Sequence, residues 1–390
     1  MYIAVLGRQS KLSIAELESR FGSDSITSLQ NVCLVEAETF DINSFGGTIK
    51  VARLIGEIDA TNWNSISKQI KAHITYAQLF GEAIVKMSFG ISVYGMNIQP
   101  RMITGLALEM KKILRASDQA KLRIVPNEAS ELSSAQVLHN KLTDPNYGAE
   151  LIIVADKHRT LIGITTGIQN IDAYTKRDHG RPARDAKVGM LPPKLAQIMI
   201  NLATAKDNSK SVYDPFCGTG VVLQEAILMG HEAGGSDLEP RMVQYSQQNL
   251  DWLELKASLT VADAQEVELP QSFHDGAIVT EMYLGEPLHS PPISSKLRDL
   301  LTENYDLLQA TLKNLSHQLS PNASLCIAVP AWKHSNQYVS VLDELMTVDD
   351  LKKLGYTYSS FQYIGSDELL YARPDQVVGR RLLSLRRNNE

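Results

Sequence analysis

With 390 residues, 44% hydrophobic and 21% charged, the chain has an ordinary globular composition and enough length for two or more domains. Its net charge of −6 argues against a protein that coats nucleic acid by charge alone, and the charge is uneven: 21 Lys and Arg face 19 Asp and Glu in residues 1–185, against 17 and 25 in residues 186–390. Cys33, Cys217 and Cys326 lie far apart without a C-x-x-C pair, and the histidines show no ligand spacing, so neither a metal nor a disulfide framework is expected.

The opening apolar run at residues 2–6 is too short for a signal peptide. Residues 151–163 are interrupted by Asp156, Lys157, His158 and Arg159, so no membrane span is expected and a cytoplasmic location is. In chain order, Tyr2-Ile3-Ala4-Val5-Leu6 reads as a strand, and Leu12, Ile14, Leu17 and Phe21 mark the apolar stripe of a helix over 13–21. Alternating stretches at 28–37 and 48–58 complete an α+β region, 1–60. A helix from residue 65, a strand at 89–95, a helix at 100–114, a strand at 121–125 and a helix at 134–141 follow. Two strands at 151–155 and 160–167 close a second α+β region, 61–168. Residues 169–190 read as a linker whose polar stretch carries Lys176, Arg177, Arg181 and Arg184.

The last region, 191–390, starts with an amphipathic, Pro-started helix at 191–203. Val212-Tyr213-Asp214 then reads as a buried strand that ends in the turn Pro215-Phe216-Cys217-Gly218-Thr219-Gly220 and opens into a helix at 221–229. Gly218 and Gly220 let the backbone turn sharply and approach a ligand. The third position of a dinucleotide fingerprint is Leu223, which excludes that motif. A strand at 231–237 ends in Asp237, a helix covers 240–253, and a strand at 259–264 carries Asp263. Further strands are expected at 277–280 and 325–329, with a hairpin-like last pair at 358–363 and 369–385. The pattern predicts an α/β, doubly wound, seven-strand Rossmann-like sheet, with ligands outside the carboxyl ends of its strands. There Asp237 is suited to accept both ribose hydroxyls of a nucleoside and Asp263 an adenine amino group; either could instead be a helix N-cap.

The run from Asp214 through Gly220 resembles motif I of amino-group methyltransferases, which bind S-adenosylmethionine. That resemblance implies a class I methyltransferase sheet, with Asp214, Pro215, Phe216, Cys217, Gly218, Thr219, Gly220, Asp237 and Asp263 as its cofactor-binding set. The strand at 89–95 with its long following helix, and the closing strand pair, resemble a THUMP domain, an RNA-binding module of tRNA-modifying enzymes. Together with Pro192-Pro193-Lys194-Leu195-Ala196 and the tail from Leu370 to Arg380, the order resembles the THUMP-containing tRNA guanosine 2-amino methyltransferases. The likeness is specific over residues 170–265 and 365–385 and diffuse over 1–168. It implies methyl transfer to the 2-amino group of a guanosine in tRNA, with Lys176, Arg177, Arg181 and Arg184 placed to meet RNA phosphates or else to solvate a hinge. The alternatives are an N6-adenine methyltransferase acting on DNA or ribosomal RNA, and an inactive RNA-binding descendant that retains the cofactor pocket.

One motif departs from that family. Its members carry Asp/Asn-Pro-Pro-Tyr/Phe after the fourth strand, where the acid or amide directs the amine's lone pair at the methyl carbon and the ring stacks on the base. Here the stretch is Thr280-Glu281-Met282-Tyr283-Leu284-Gly285-Glu286-Pro287. Glu281 and Tyr283 are the candidate catalytic residues, although the longer Glu arm moves the oxygens out by about 1.5 Å, where ~1 Å can cost about a hundredfold in rate. The competing reading has Glu281 as a cap and Tyr283 as core filler.

Overall fold

The computed structural model describes residues 1–80, 86–117, 121–185, 190–205 and 210–389. Two compact units emerge: Met1–Ser10, Asp24–Asn43 and Thr48–Ile171 form the first, and Lys11–Ser23, Ser44–Gly47 and Asp172–Glu390 the second.

The chain begins with β1 (Tyr2–Leu6), α1 (Ser10–Phe21), β2 (Ile26–Leu29), β3 (Val32–Val35) and β4 (Thr48–Ile58). It continues through α2 (Trp63–His73), α3 (Tyr76–Phe80), β5 (Met87–Tyr94), α4 (Pro100–Ser117), β6 (Leu122–Ile124), α5 (Ser134–His139), β7 (Gly148–Ala155) and β8 (Thr160–Ile168). All eight strands join one sheet in the order β2-β3-β1-β4-β8-β7-β5-β6. The antiparallel pairing of β4 with β8 thereby unites the two amino-terminal regions that local pattern separates. On α4, Ile103, Leu106, Ala107, Met110 and Leu114 recur at helical spacing and are buried in a core shared with β5 and β7.

Four strands of this sheet meet at a buried ion pair. Lys50 on β4 donates to Glu150 Oε1 on β7 at 2.5 Å, and the two side chains are 2% and 0% exposed. Ser92 on β5 donates to the same oxygen at 2.5 Å, and Thr165 on β8 to Oε2 at 2.6 Å. The geometry satisfies a carboxylate that could not otherwise be buried.

The second unit contains α6 (Ile171–His179), α7 (Pro193–Thr204), β9 (Ser211–Asp214), α8 (Val221–Leu228), β10 (Glu232–Asp237), α9 (Pro240–Trp252), β11 (Ser258–Val261) and β12 (Ala277–Glu281). Then come α10 (Ser294–Ser316), β13 (Ser324–His334), β14 (Gln337–Ser340), α11 (Val341–Glu344), α12 (Val348–Lys353), β15 (Tyr356–Tyr358), β16 (Leu370–Tyr371) and β17 (Val378–Arg387). The sheet runs β11-β10-β9-β12-β13-β17-β15, seven strands on the main path, with short β14 and β16 added at its side. β9 to β13 are parallel, and β17 returns antiparallel between β13 and β15. This is the doubly wound α/β fold. Its strand order reverses at β9, which has β10 on one side and β12 on the other.

Three features differ from the sequence pattern. The stretch read as a linker contains helix α6. In the expected last pair, residues 359–369 form no strand, and the partners of β17 are β15 and β16. Helix α1 belongs to the second unit, because its buried acids find their donors there. Glu16, 0% exposed, accepts from Gly46 and Gly47 N–H and from Asn201, and Glu18 accepts from Gln362 and Tyr363 N–H. Among the described residues no helix is long and apolar enough to cross a membrane.

Lys50→Met should leave Glu150 a buried, uncompensated charge and lower stability by about 3–5 kcal/mol. Urea unfolding followed by circular dichroism measures this, and a loss below about 1 kcal/mol would show that Ser92 and Thr165 suffice.

Candidate active site

At the end of β9 the Asp214 carboxylate is 2% exposed, and its Oδ1 accepts from Phe216 N–H at 3.0 Å and from the Thr280 hydroxyl of β12 at 2.5 Å. It therefore fastens two neighbouring strands where the sheet reverses. Burial, helped by the charges of Asp237 and Glu281, pushes its carboxyl up to about 7 against the opposing hydrogen bonds.

The following turn needs its glycines for different reasons. Gly220 caps α8 at φ +80°, and a Cβ there would lie 2.8 Å from Ser246 Oγ on α9. Gly218, at φ +51°, would meet only the Phe216 carbonyl at 3.9 Å, so its missing side chain leaves open space. Side chains of α9 hold the turn: Ser246 donates to Gly218 C=O at 2.9 Å and Asn249 to Thr219 C=O at 2.9 Å. Cys217 is buried and donates its N–H to Ser236 C=O at 2.8 Å.

Asp237, half-buried at the end of β10, accepts from Gly218 N–H at 2.9 Å through Oδ2 and from Glu239 N–H at 2.9 Å through Oδ1. Burial raises its carboxyl, and these two donors oppose the shift. Asp263 lies two residues beyond β11 and accepts from Gln265 N–H at 2.9 Å, an Asx turn, and from the Gln265 side-chain amide at 3.3 Å. Gly218, Asp214, Asp237, Asp263, Glu281 and Tyr283 all line one cleft of about 830 Å³.

The divergent loop reads as alternation. Met282 and Leu284 are buried at 1% and 7%, and Met282 N–H bonds to Ala328 C=O at 3.0 Å, which extends the ladder with β13. All four residues border the cleft, and strand alternation places Glu281 and Tyr283 on the side opposite Met282 and Leu284. Tyr283 is 53% exposed, which removes the core-filling alternative. Glu281 caps no helix: its Oε1 accepts from Arg380 Nε on β17 at 2.5 Å. Burial raises the Glu281 carboxyl and the guanidinium opposes the shift.

The four basic residues of the connecting stretch have different fates. Arg177 makes a two-pronged ion pair with Glu225 of α8, at 2.6 and 3.2 Å, and Glu225 is only 1% exposed. The Arg181 side chain is 0% exposed beside Asp178. Both cations are used inside the second unit. Lys176 sits 5.4 Å from the Trp252 ring centroid, and Arg184 is exposed, bound to His179 C=O at 3.4 Å. Sequence reasoning missed Thr280, Ser246, Asn249 and Arg380, whose roles arise only from partners distant in the chain. Among the described residues no group of three or more His, Cys, Asp or Glu could hold a metal.

Asp214 makes a pH prediction. Between its ordinary 3.8 and about 7 the native state keeps a proton that the unfolded chain releases, so its contribution to stability falls as pH rises through that window. Asp214→Asn retains the acceptor oxygen and removes the titration. The stability of the wild type relative to Asp214→Asn should decline from pH 4 to pH 7, at a slope approaching ~1.4 kcal/mol per pH unit. Paired urea titrations at several pH values check this; Glu16, also raised to about 7, titrates in both proteins and cancels.

Comparison with known proteins agrees with this architecture. Residues 181–340 match the RMKL-like methyltransferase domain family UPF0020. The tRNA (guanine(10)-N2)-dimethyltransferase of Methanothermobacter thermautotrophicus is 29% identical over 182 residues, 45% of this chain and 50% of its own. That of Methanocaldococcus jannaschii is 46% identical over 63 residues, 16% and 18% of the two chains. The chain thus spans about half the length, or less, of these curated relatives. Among solved structures, TrmN from Thermus thermophilus superposes with a TM-score of 0.51 at 13% identity over 99% of both chains. SMU.472 gives 0.50 at 11% identity over 100% of this chain and 98% of its own, so these two likenesses speak for the fold alone. The stretch that matches the UPF0020 RMKL-like methyltransferase domain, residues 181–340, is the one that carries the glycine turn at the strand reversal of the doubly wound sheet.

Proposed function

We propose that the protein is an S-adenosylmethionine-dependent methyltransferase acting on the exocyclic 2-amino group of a guanosine in tRNA. The observation that carries this reading is the convergence of Asp214, Asp237, Asp263 and Glu281 on one cleft beside the Gly218 turn. The residues fit the cofactor: Gly218 leaves room for close approach, and each Asp237 oxygen, bonded once to backbone, keeps a lone pair for a ribose hydroxyl. Asp263 supplies an acceptor for the adenine amino group. The bound cofactor would contribute an electrophilic methyl carbon on a sulfonium.

The chain's own part is orientation. Glu281 accepts a hydrogen bond from the base amine, which turns its lone pair toward the cleft, and the exposed Tyr283 ring offers a stacking face. Guanosine and tRNA as substrate rest on the names of the curated relatives, matched over about half their length. The first unit, including the THUMP-like region at 61–168, serves as the RNA-binding half of this reading. Of the connector cations, Lys176 and Arg184 remain for phosphate contact. A cytoplasmic location follows from a tRNA substrate. A second reading, cofactor binding without catalysis, is favoured by the departure of residues 280–287 from the Asp/Asn-Pro-Pro-Tyr/Phe motif.

Nucleoside mass spectrometry of tRNA from cells with and without the protein separates the two: loss of a methylated guanosine supports the enzyme, and an unchanged nucleoside set supports binding only. For the purified chain, Asp237→Ala should weaken S-adenosylhomocysteine by about 1–3 kcal/mol in calorimetry. Glu281→Gln should keep that affinity yet slow single-turnover methylation by about 10²–10⁴-fold. Equal rates per folded molecule for Glu281→Gln and the wild type would remove Glu281 from the reaction.

A further inference from the structure

We propose that Arg380 is a positioning residue that reaches across β13 to hold the Glu281 carboxylate in the lining of the cleft. The inference rests on the methyltransferase reading of that cleft, and its basis is the strand register. Glu281 on β12 pairs with Ala328 on β13, and Pro330, two residues on and therefore on the same face, pairs with Arg380 on β17. Strands lie about 4.8 Å apart, so Arg380 spans two strand spacings over β13. It can do so because the residues beneath it, Ala328 and Pro330, are short.

The exposure of the pair is asymmetric. The Arg380 side chain is 4% exposed and that of Glu281 14%, and Glu281 lines the cleft whereas Arg380 does not. The guanidinium thus acts through the carboxylate, its Nη2 also donating to the Met190 carbonyl at 3.5 Å, and is not itself part of the cleft lining. A buried ion pair is a poor means of stabilising a sheet whose backbone ladder is already closed, since desolvation offsets most of the attraction. Its location fits another need. The loop lacks the two prolines that would stiffen it and contains Gly285 at φ +82°, so an exact carboxylate position must come from elsewhere. The burial of Met282 and Leu284 fixes the backbone; Arg380 fixes the side chain. The guanidinium also opposes the upward shift that burial imposes on the Glu281 carboxyl.

The test compares Arg380→Met and Arg380→Lys with the wild type in single-turnover reactions at saturating S-adenosylmethionine and saturating tRNA. Arg380→Met should be slowed on the order of 10²-fold, and Arg380→Lys, which keeps the charge, by about tenfold or less. S-adenosylhomocysteine affinity should stay within about twofold of wild type in both, because neither the glycine turn nor Asp237 is touched. An Arg380→Met protein that melts earlier yet methylates at the wild-type rate per folded molecule would overturn the proposal, as would Arg380→Lys being as slow as Arg380→Met. Failure of the underlying reading looks different: a wild-type chain that binds the cofactor and methylates no tRNA overturns both.

Discussion

A carboxylate sealed between two parallel strands governs the geometry of the second unit. Asp214 ends β9, takes one hydrogen bond from the turn that follows it and another from Thr280 on β12, and has almost no contact with solvent. Those two bonds fix where β9 and β12 part, and that parting is the cleft. A buried carboxylate is costly unless it is satisfied or protonated, and Asp214 uses both means: two donors and a carboxyl raised to about 7. Its partial neutralisation also lowers the repulsion among the acids that share the cleft.

The glycine turn is held from outside itself. A chain that turns through two left-handed glycines leaves carbonyl groups with no secondary structure to satisfy them. Helix α9 answers this with Ser246 and Asn249, one helical turn apart, which bind the Gly218 and Thr219 carbonyls. Asn249 also bonds both backbone groups of Ala183, so the same side chain ties the segment before α7 to the turn. The backbone of the glycine turn is thereby preorganised, which is how a loop can serve chemistry that demands sub-ångström placement.

Among the charged side chains that line this largely apolar cleft, acids outnumber bases, an arrangement suited to a cationic sulfonium and poorly suited to phosphates. In the proposed reaction, RNA backbone contacts would come from surfaces away from the acids. The fate of the connector cations shows how sharply tertiary context sorts residues that look alike. Arg177 and Arg181 neutralise acids within the second unit, whereas Arg184 stays exposed. A run of four cations is legible as basic; which of them can meet a phosphate is not.

Local chemistry was sufficient for much of this protein. Strand–turn–helix order around Gly218 and Gly220, Asp237 at one strand end and Asp263 just past another, and the doubly wound class follow from short-range pattern, because left-handed backbone and strand termini constrain residue choice within a few positions. The stripe of α10, with Leu297, Leu300, Leu301, Leu308, Leu312 and Leu315 buried, is equally a short-range pattern of helical spacing. What tertiary structure decided involves partners far apart in the chain. Arg380 stands 99 residues from Glu281, Asn201 is 185 from Glu16, and α1 leaves its neighbouring strands because its buried acids need donors supplied by the second unit. A sequence records which residues can donate, accept or turn. Which of them meet is set by strand order and register, and those are settled only when the whole sheet closes.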